Sequence, residues 1–326
     1  MSVSWLIPVR DGRRWLREAV GSALDECGVD DEVIVVDDGS TDAPGEVLPE
    51  DGRVRLSRQS PSGIVSALQR GLAECTGEWI ARLDADDRAL PGRIEAQRSA
   101  LSGDPRLAVV GGKAQMVRHD SAVPEGMRRY VAWVNGLADL HREILVESPL
   151  FHPAVLMRAS AVASVGGYRG GDLPEDYDLW LRLVAAGWRL ASVDQEVVCL
   201  RDREDRLTRT DPRYRRAAFE RVKREYLSST VLRSPRRVVV WGAGRTGRRW
   251  IKWLLEEGHT VVRVIDLGKA TERSGVPVVR PEVLPDLDHD VLLVAVGVRG
   301  AREKIRDSLG QVRPGLAEGR DWWAVV

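Results

Sequence analysis

Residues 71–98 read GLAECTGEWIARLDADDRALPGRIEAQR, and the fold turns on the stretch Trp79 to Asp87 inside them. Trp79 to Leu83 has the make-up of a short buried strand, and it runs straight into three carboxylates, Asp84, Asp86 and Asp87. In a doubly wound sheet, ligands sit at the C-terminal ends of the strands. Residues two apart on an extended chain point to one side, so Asp84 and Asp86 can face the same ligand. Hard carboxylate oxygens are what Mg2+ or Mn2+ takes, usually beside substrate phosphates and water. A lone D-x-D is read more plainly as a capped helix start, here before Leu90 and Pro91, so the surroundings decide.

On the N-terminal side, Ile64, Val65, Leu68 and Leu72 mark a helix closed by Gly77. Val3 to Val9 and Glu32 to Val36 are nearly continuous apolar runs, the pattern of strands buried on both faces. Between them Trp15, Leu16, Ala19, Val20, Ala23 and Leu24 recur at helical spacing, with Asp11 standing where an N-cap is expected. Strand, helix and strand in alternation imply a doubly wound α/β sheet. On the C-terminal side the strand signal returns over Leu107 to Val117 and His152 to Met157. Asp176 to Ala186 is an amphipathic helix with Leu179, Trp180, Leu183 and Val184 on one face. His152 reads equally as a group approaching an acceptor or as a packed histidine. Arg201 to Arg224 holds ten Lys or Arg against five Asp or Glu. It reads as a solvated helix face over Ala217, Ala218, Val222 and Leu227, or as a diphosphate or anionic-acceptor contact through Arg203, Arg206 and Arg209.

Two more acid clusters accompany the first. Asp37 and Asp38 end a buried strand and run into Gly39, Ser40, Thr41 and Asp42. An ionised carboxylate only accepts hydrogen bonds, so an aspartate there suits the ring N–H of uracil, thymine or guanine; the plainer reading is a turn. Glu175 and Asp176 open the amphipathic helix after the flexible run Gly166, Gly167, Gly170 and Gly171. A carboxylate in that place can take a proton from an acceptor hydroxyl, and it is also simply favourable with the helix dipole.

In order and spacing, the stretches VSWLIPVRDGRRWL, DEVIVVDDGSTD, GLAECTGEWIARLDADD with LPGRIEAQ, HPAVLMRASAVASVGGY and PEDYDLWLRLVAAG resemble the family 2 glycosyltransferases of the GT-A fold, over about residues 2–205. The resemblance implies an inverting transfer, hexosyltransferase in type, from a nucleotide diphosphate sugar, a UDP-sugar first among them. Pro8, Val9, Arg10, Asp37, Asp38, Gly63 and Asp84 would then bind the nucleotide, and Asp86 with Asp84 would hold Mg2+ or Mn2+ and the diphosphate. Asp176 would be the catalytic base with Glu175 beside it. Arg10 stands where the family often has an aromatic residue after Pro-Val, and an Arg can stack as well. The Gln-x-x-Arg-Trp signature and membrane helices of the family's processive synthases are missing, which argues against polymer synthesis. The acceptor, whether a saccharide, a lipid-linked sugar or a small molecule, is left open.

After a linker around Ser228 to Pro235, a new buried run Val238 to Trp241 opens onto Gly242, Gly244 and Gly247, and Asp266 ends the next strand. This is the context of a dinucleotide phosphate loop, in a module resembling the small Rossmann-like domains in front of some sugar acyltransferases. The chain is thus expected to hold a GT-A domain over 1–230 and a Rossmann-like accessory domain over 236–326. The latter would take a second nucleotide, NAD or a nucleotide sugar. An added oxidoreductase or a non-catalytic nucleotide-sugar sensor are the rival readings. Formal net charge is zero, with 49 basic and 49 acidic residues, so no overall field draws the chain to nucleic acid. Cys27, Cys75 and Cys199 form no framework, and no apolar stretch reaches spanning length; a cytoplasmic enzyme is expected, with peripheral membrane contact left open.

Overall fold

A computed structural model describes residues 2–119 and 121–326. The chain falls into two units: one runs to Leu140 and resumes over Ser148–Val222, the other takes His141–Glu147 and Lys223–Val326. As far as Ser229 the main elements are β1 (Val3–Val9), α1 (Arg13–Leu24), β2 (Glu32–Asp37), β3 (Val54–Arg58), α2 (Ile64–Glu74), β4 (Trp79–Arg82), β5 (Arg88–Ala89), α3 (Arg93–Gly103), β6 (Leu107–Val117), α4 (Glu125–Asn135), α5 (Leu140–Glu143), β7 (Leu156–Arg158), α6 (Ala159–Ser164), α7 (Glu175–Ala185), β8 (Arg189–Arg201), α8 (Leu207–Thr210) and α9 (Arg216–Ser229).

Eight strands form one sheet in the order β3-β2-β1-β4-β7-β6-β8-β5. β3, β2, β1 and β4 are parallel, and β7 runs antiparallel to both β4 and β6. The result is the mixed α/β sheet of a GT-A-type fold. All of β1 is buried, because each face has its own cover. Trp5, Ile7 and Val9 share a core with Leu16, Ala19 and Val20 of α1. On the other face Leu6 meets α2 at Gly71, where a Cβ would lie 2.0 Å from Leu6 Cδ1. Only glycine allows that approach.

Local details differ from the sequence reading for reasons of tertiary contact. Asp11 does not cap α1: the N-cap is Gly12, and the amide of Arg13 donates to Asp42 Oδ2 at 2.8 Å. Asp11 instead accepts from the Thr41 amide at 2.7 Å, so the loop after β2 and the start of α1 cap each other. Gly77 does not close α2, whose C-cap is Cys75; it is required because a Cβ there would lie 2.6 Å from the Ser4 amide nitrogen. His152–Ala154 is a 3-10 turn around Pro153, and only Leu156–Arg158 pairs as a strand. Within α9, Ala218, Val222 and Leu227 are buried as expected, whereas Ala217 is exposed.

The second unit holds β9 (Arg237–Trp241), α10 (Arg245–Glu256), β10 (Thr260–Ile265), β11 (Glu272–Arg273), β12 (Val276–Val279), β13 (Val291–Val294), α11 (Ala301–Val312) and β14 (Trp322–Ala324). Its sheet order is β11-β12-β10-β9-β13-β14. All neighbours from β12 to β14 are parallel, so the order reverses beside β9, which is followed directly by Gly242. The inserted segment is tied in by Arg306, which donates to Glu143 and Glu318, and by Lys223 Nζ, which donates to Val146 O at 2.7 Å. Among the described residues no helix is long and apolar enough to cross a membrane.

Candidate active site

The register aligns the site. Val9 pairs with Asp37 across β1 and β2, and Leu6 with Arg82 across β1 and β4. The C-terminal ends of three neighbouring parallel strands therefore carry Pro8-Val9-Arg10, Asp37-Asp38 and Asp84 to Asp87. Pro8 and Val9 are buried, while the Arg10 side chain is 55% exposed with Nη1 3.9 Å from Asp38 Oδ2. Asp38, 3% exposed, accepts from Gln59 Nε2 at 2.7 Å and from the amides of Ser62 and Gly63, each at 2.8 Å. Gly63, at φ +88°, is the N-cap of α2, so Arg10, Asp38 and Gly63 meet directly. A carboxylate offers about four acceptor positions, and three of those on Asp38 order the loop around it. Asp37 accepts from the Ser40 amide at 2.8 Å and pairs with Arg58 Nε at 2.9 Å.

Asp84, Asp86 and Asp87 each bring a carboxylate oxygen to within 4.8 Å of the others. Arg82 Nη2 donates to Asp84 Oδ1 at 2.6 Å, and Arg203 Nε lies 3.0 Å from Asp86 Oδ2. Asp87 accepts from the Arg201 amide at 2.7 Å, but its Oδ2 is buried without a partner. Burial, then the neighbouring carboxylates, push Asp86 up and Asp87 well above the ordinary carboxylate range. Three crowded hard oxygen donors, one of them orphaned, fit a small divalent cation. Arg201 braces this loop by donating to the Asp86 carbonyl at 2.8 Å and stacking on Trp15 of α1.

Glu175 and Asp176 form the first turn of α7, with Pro174 at the N-cap. Glu175 is 3% exposed, and the hydroxyl of Tyr214 donates to it at 2.8 Å. Asp176 is half-buried, and burial followed by the Glu175 charge raises its carboxyl to about 7. Of the glycines before the helix, Gly166 and Gly167 are pinned, while Gly170 and Gly171 are exposed. Gln69 Nε2 donates to the carbonyls of Gly166 and Tyr168, and a Cβ on Gly167, at φ +69°, would lie 2.5 Å from Gln69 Oε1. His152 is buried, with Nε2 2.7 Å from Tyr168 OH and the ring edge against Trp180; it packs. Arg82 joins the clusters, since it bonds Asp84 and its charge partly opposes the rise that burial imposes on Glu175 and Asp176.

In the second unit, Gly242 has φ +129°, and a Cβ there would lie 2.8 Å from the Ala295 carbonyl oxygen. On Gly247 a Cβ would lie 1.7 Å from Gly242 O. Gly244 is the N-cap of α10. Asp266 is brought to the loop, where its Oδ2 accepts from the Ala243 amide at 2.6 Å and its Oδ1 from Gly268 at 2.6 Å.

Arg82, Gln59, Arg201 and Tyr214 were not singled out from the sequence. For Arg82 a signal existed: one cation in the run Trp-Ile-Ala-Arg-Leu is out of place on a buried strand unless something pairs with it. Tyr214 carries none, because it reaches Glu175 only through the turn at Pro212–Tyr214.

Residues 4–158 match the family described as glycosyl transferase family 2. An uncharacterized glycosyltransferase of Haemophilus influenzae is 27% identical over 208 residues, 61% of this chain and 75% of that protein. The amylovoran biosynthesis glycosyltransferase AmsE of Erwinia amylovora is 32% identical over 143 residues, 44% of this chain and 52% of AmsE. The UDP-Gal:alpha-D-GlcNAc-diphosphoundecaprenol beta-1,3-galactosyltransferase of Escherichia coli is 26% identical, covering 61% of this chain and 73% of that one. Among solved structures, residues 1–349 of S. aureus TarS in complex with UDP-GlcNAc superpose with a TM-score of 0.51 at 16% identity, over 72% of this chain and 74% of that one, a likeness of fold. The family match runs from β1 through the D-x-D loop to the end of β7, the strand that pairs with β4, and together with the glycosyltransferase relatives it marks the chain as a glycosyltransferase whose likeness to family 2 lies in residues 4–158.

Proposed function

We propose that the chain transfers a sugar with inversion from a UDP-sugar to a hydroxyl of a saccharide or lipid-linked acceptor. The observation that carries this is the crowding of Asp84, Asp86 and Asp87 at the strand ends, accompanied by an acid in the first turn of α7 whose carboxyl is raised to about 7 by burial and the Glu175 charge. A general base is most effective when it titrates near the working pH. Asp176 takes the proton of the acceptor hydroxyl as its oxygen attacks the anomeric carbon; Glu175, held by Tyr214, keeps Asp176 proton-hungry by its charge. Asp84 and Asp86 would hold Mg2+ or Mn2+, with the open oxygen of Asp87 beside them. Bound there, the cation supplies positive charge to the departing diphosphate. Pro8, Val9, Arg10, Asp37, Asp38 and Gly63 line the nucleotide end. UDP and a lipid-linked acceptor are favoured because the E. coli relative is named for both. The cytoplasm is the proposed compartment, in keeping with three free cysteines.

The test is a thermal-shift screen of nucleotide sugars with and without Mn2+, followed by transfer assays on the best binder. A donor that binds the folded chain raises its melting point, and the rise should need the metal. If no nucleotide sugar shifts the melting point in Mn2+, this reading fails.

For the domains we propose a GT-A part over 1–230 and a Rossmann-like part over 236–326. Gly242, Gly244, Gly247 and Asp266 would form a second nucleotide site, NAD or nucleotide sugar. Support comes from the close glycine packing where the parallel order reverses. Equilibrium dialysis with labelled NAD and UDP-sugar should give two nucleotides per chain, and a single site would remove the second proposal. After Pro235 there is no Tyr and no Cys to serve as a hydride-transfer acid, which disfavours an added oxidoreductase.

A further inference from the structure

Two arginines lie buried side by side in the first unit, and they differ in one respect. Arg93, fully buried, has its guanidinium spent: Nη1 donates to Pro153 O, Nη2 to the carbonyls of Arg82 and Val155, and Nε to Gln97. It also lies over the ring of Trp5, and its role is to knit strands together. Arg82 is 2% exposed and only Nη2 is engaged, on Asp84 at 2.6 Å. Its Nε and Nη1 are buried with no hydrogen-bond partner. Native interiors leave few such donors unmet, and a charged one is the most costly to leave. The unmet pair therefore marks a place where another molecule supplies the acceptors.

The position says which molecule. In an inverting displacement the leaving and attacking oxygens lie on opposite sides of the anomeric carbon, so the sugar lies between the group that holds the diphosphate and the base. Arg82 bonds Asp84 on the diphosphate side, and its charge is felt by Asp176 on the base side. We propose that Arg82 binds the transferred sugar of the donor, Nε and Nη1 each donating to an oxygen substituent of the ring. This rests on the reading given under Proposed function. Asp84 holds the guanidinium at a fixed angle, so the two open donors discriminate among sugars by where their oxygens stand. A site built to donate to a substrate oxygen rejects an analogue that lacks it.

The experiment is calorimetric titration in Mn2+ of the wild-type chain and Arg82→Gln with UDP and with whichever of UDP-Gal, UDP-GlcNAc and UDP-Glc the wild type binds most tightly. UDP affinity should stay within about twofold, while affinity for the UDP-sugar falls about 10- to 100-fold, the range for losing hydrogen bonds from a charged donor. Retained UDP binding also shows that the variant is folded; if Arg82→Gln fails to fold, Arg82→Lys, which keeps the charge on Asp84 but not the planar donors, should give the same split. Equal losses for UDP and UDP-sugar would assign Arg82 to the diphosphate and overturn the proposal. Unchanged binding of both would make it a structural residue and overturn it too. A wild type that binds none of these ligands sinks the donor reading, and this proposal with it.

Discussion

Asp176 is an acid whose surroundings favour the protonated form, and two measurable effects of opposite sign follow. The base form exists above about pH 7, so transfer should rise with pH through that value and level off beyond it. Because Glu175 is also raised and its charge acts on Asp176, the apparent value belongs to the pair. Stability goes the other way. With the folded carboxyl above its ordinary 3.8, the unfolded chain sheds a proton between about pH 4 and 7 that the folded chain keeps, so rising pH costs stability in that window. Asp176→Asn should therefore lower turnover by about 10²–10⁴ yet raise Tm at pH 8 and leave it unchanged at pH 4. A pH-independent rate, or a Tm lowered at pH 8, would contradict the assignment. Asp38 predicts the reverse pairing. Asp38→Ala leaves the Gln59, Ser62 and Gly63 donors without their acceptor, which should cost about 1–3 kcal/mol for a buried group and weaken UDP binding together with Tm.

Helix α2 shows how one element serves fold and site together. Gly71 lets it lie against Leu6 of β1, and Gly63 at its head meets Asp38. In an open helix, replacing Gly by Ala gains up to about 1 kcal/mol. Here the new methyl would sit 2.0 Å from Leu6 Cδ1 and 3.1 Å from Val36 Cγ2, and overpacking of a close-packed core costs about 1–3 kcal/mol. Gly71→Ala should lower the urea midpoint, and a raised midpoint would show that the helix can slide without cost. The same contrast governs what was legible beforehand. β1, β2, β4, β6 and α7 are strongly patterned and were read within a residue or two, together with the acids at their ends. β8 was missed. Its first half, with Asp194 and Glu196, is mostly exposed or half-buried and only Val197 to Leu200 is a continuous buried run, and its full length is set by pairing with β6. β14 is three residues long and takes its order from β13 alone. The bonds of the Arg13 amide to Asp42 and of the Thr41 amide to Asp11 join residues 29 and 30 positions apart; no local spacing encodes them.

At the scale of the molecule, the chain order and the division into units do not coincide. His141–Glu147 lies in sequence within the glycosyltransferase part but clusters with the C-terminal unit. Ile144 and Leu145 are 3% and 1% exposed, and Glu143, 8% exposed, pairs with Arg306. Lys223 Nζ closes the segment by donating to the carbonyls of Val146 and Val325. A chain truncated after Val222 loses Lys223, Arg306 and Glu318, the partners of Val146, Glu143 and Arg142, and with them the unit in which Ile144 and Leu145 are buried. Burying a leucine or isoleucine side chain stabilises by about 1.5–3 kcal/mol, and the two together are a large share of a domain's usual net stability of about 5–15 kcal/mol. The truncated chain should therefore melt at a lower temperature than the full one, bind a hydrophobic dye, and be cleaved first near residues 141–147 by a dilute protease. Leu145→Asp in the full chain should reproduce part of this effect, since it places a carboxylate where the side chain is 1% exposed. A truncated chain as stable and protease-resistant as the full one would mean that the segment needs nothing beyond Val222, and that the C-terminal unit is an appended module which the transferase part can lose.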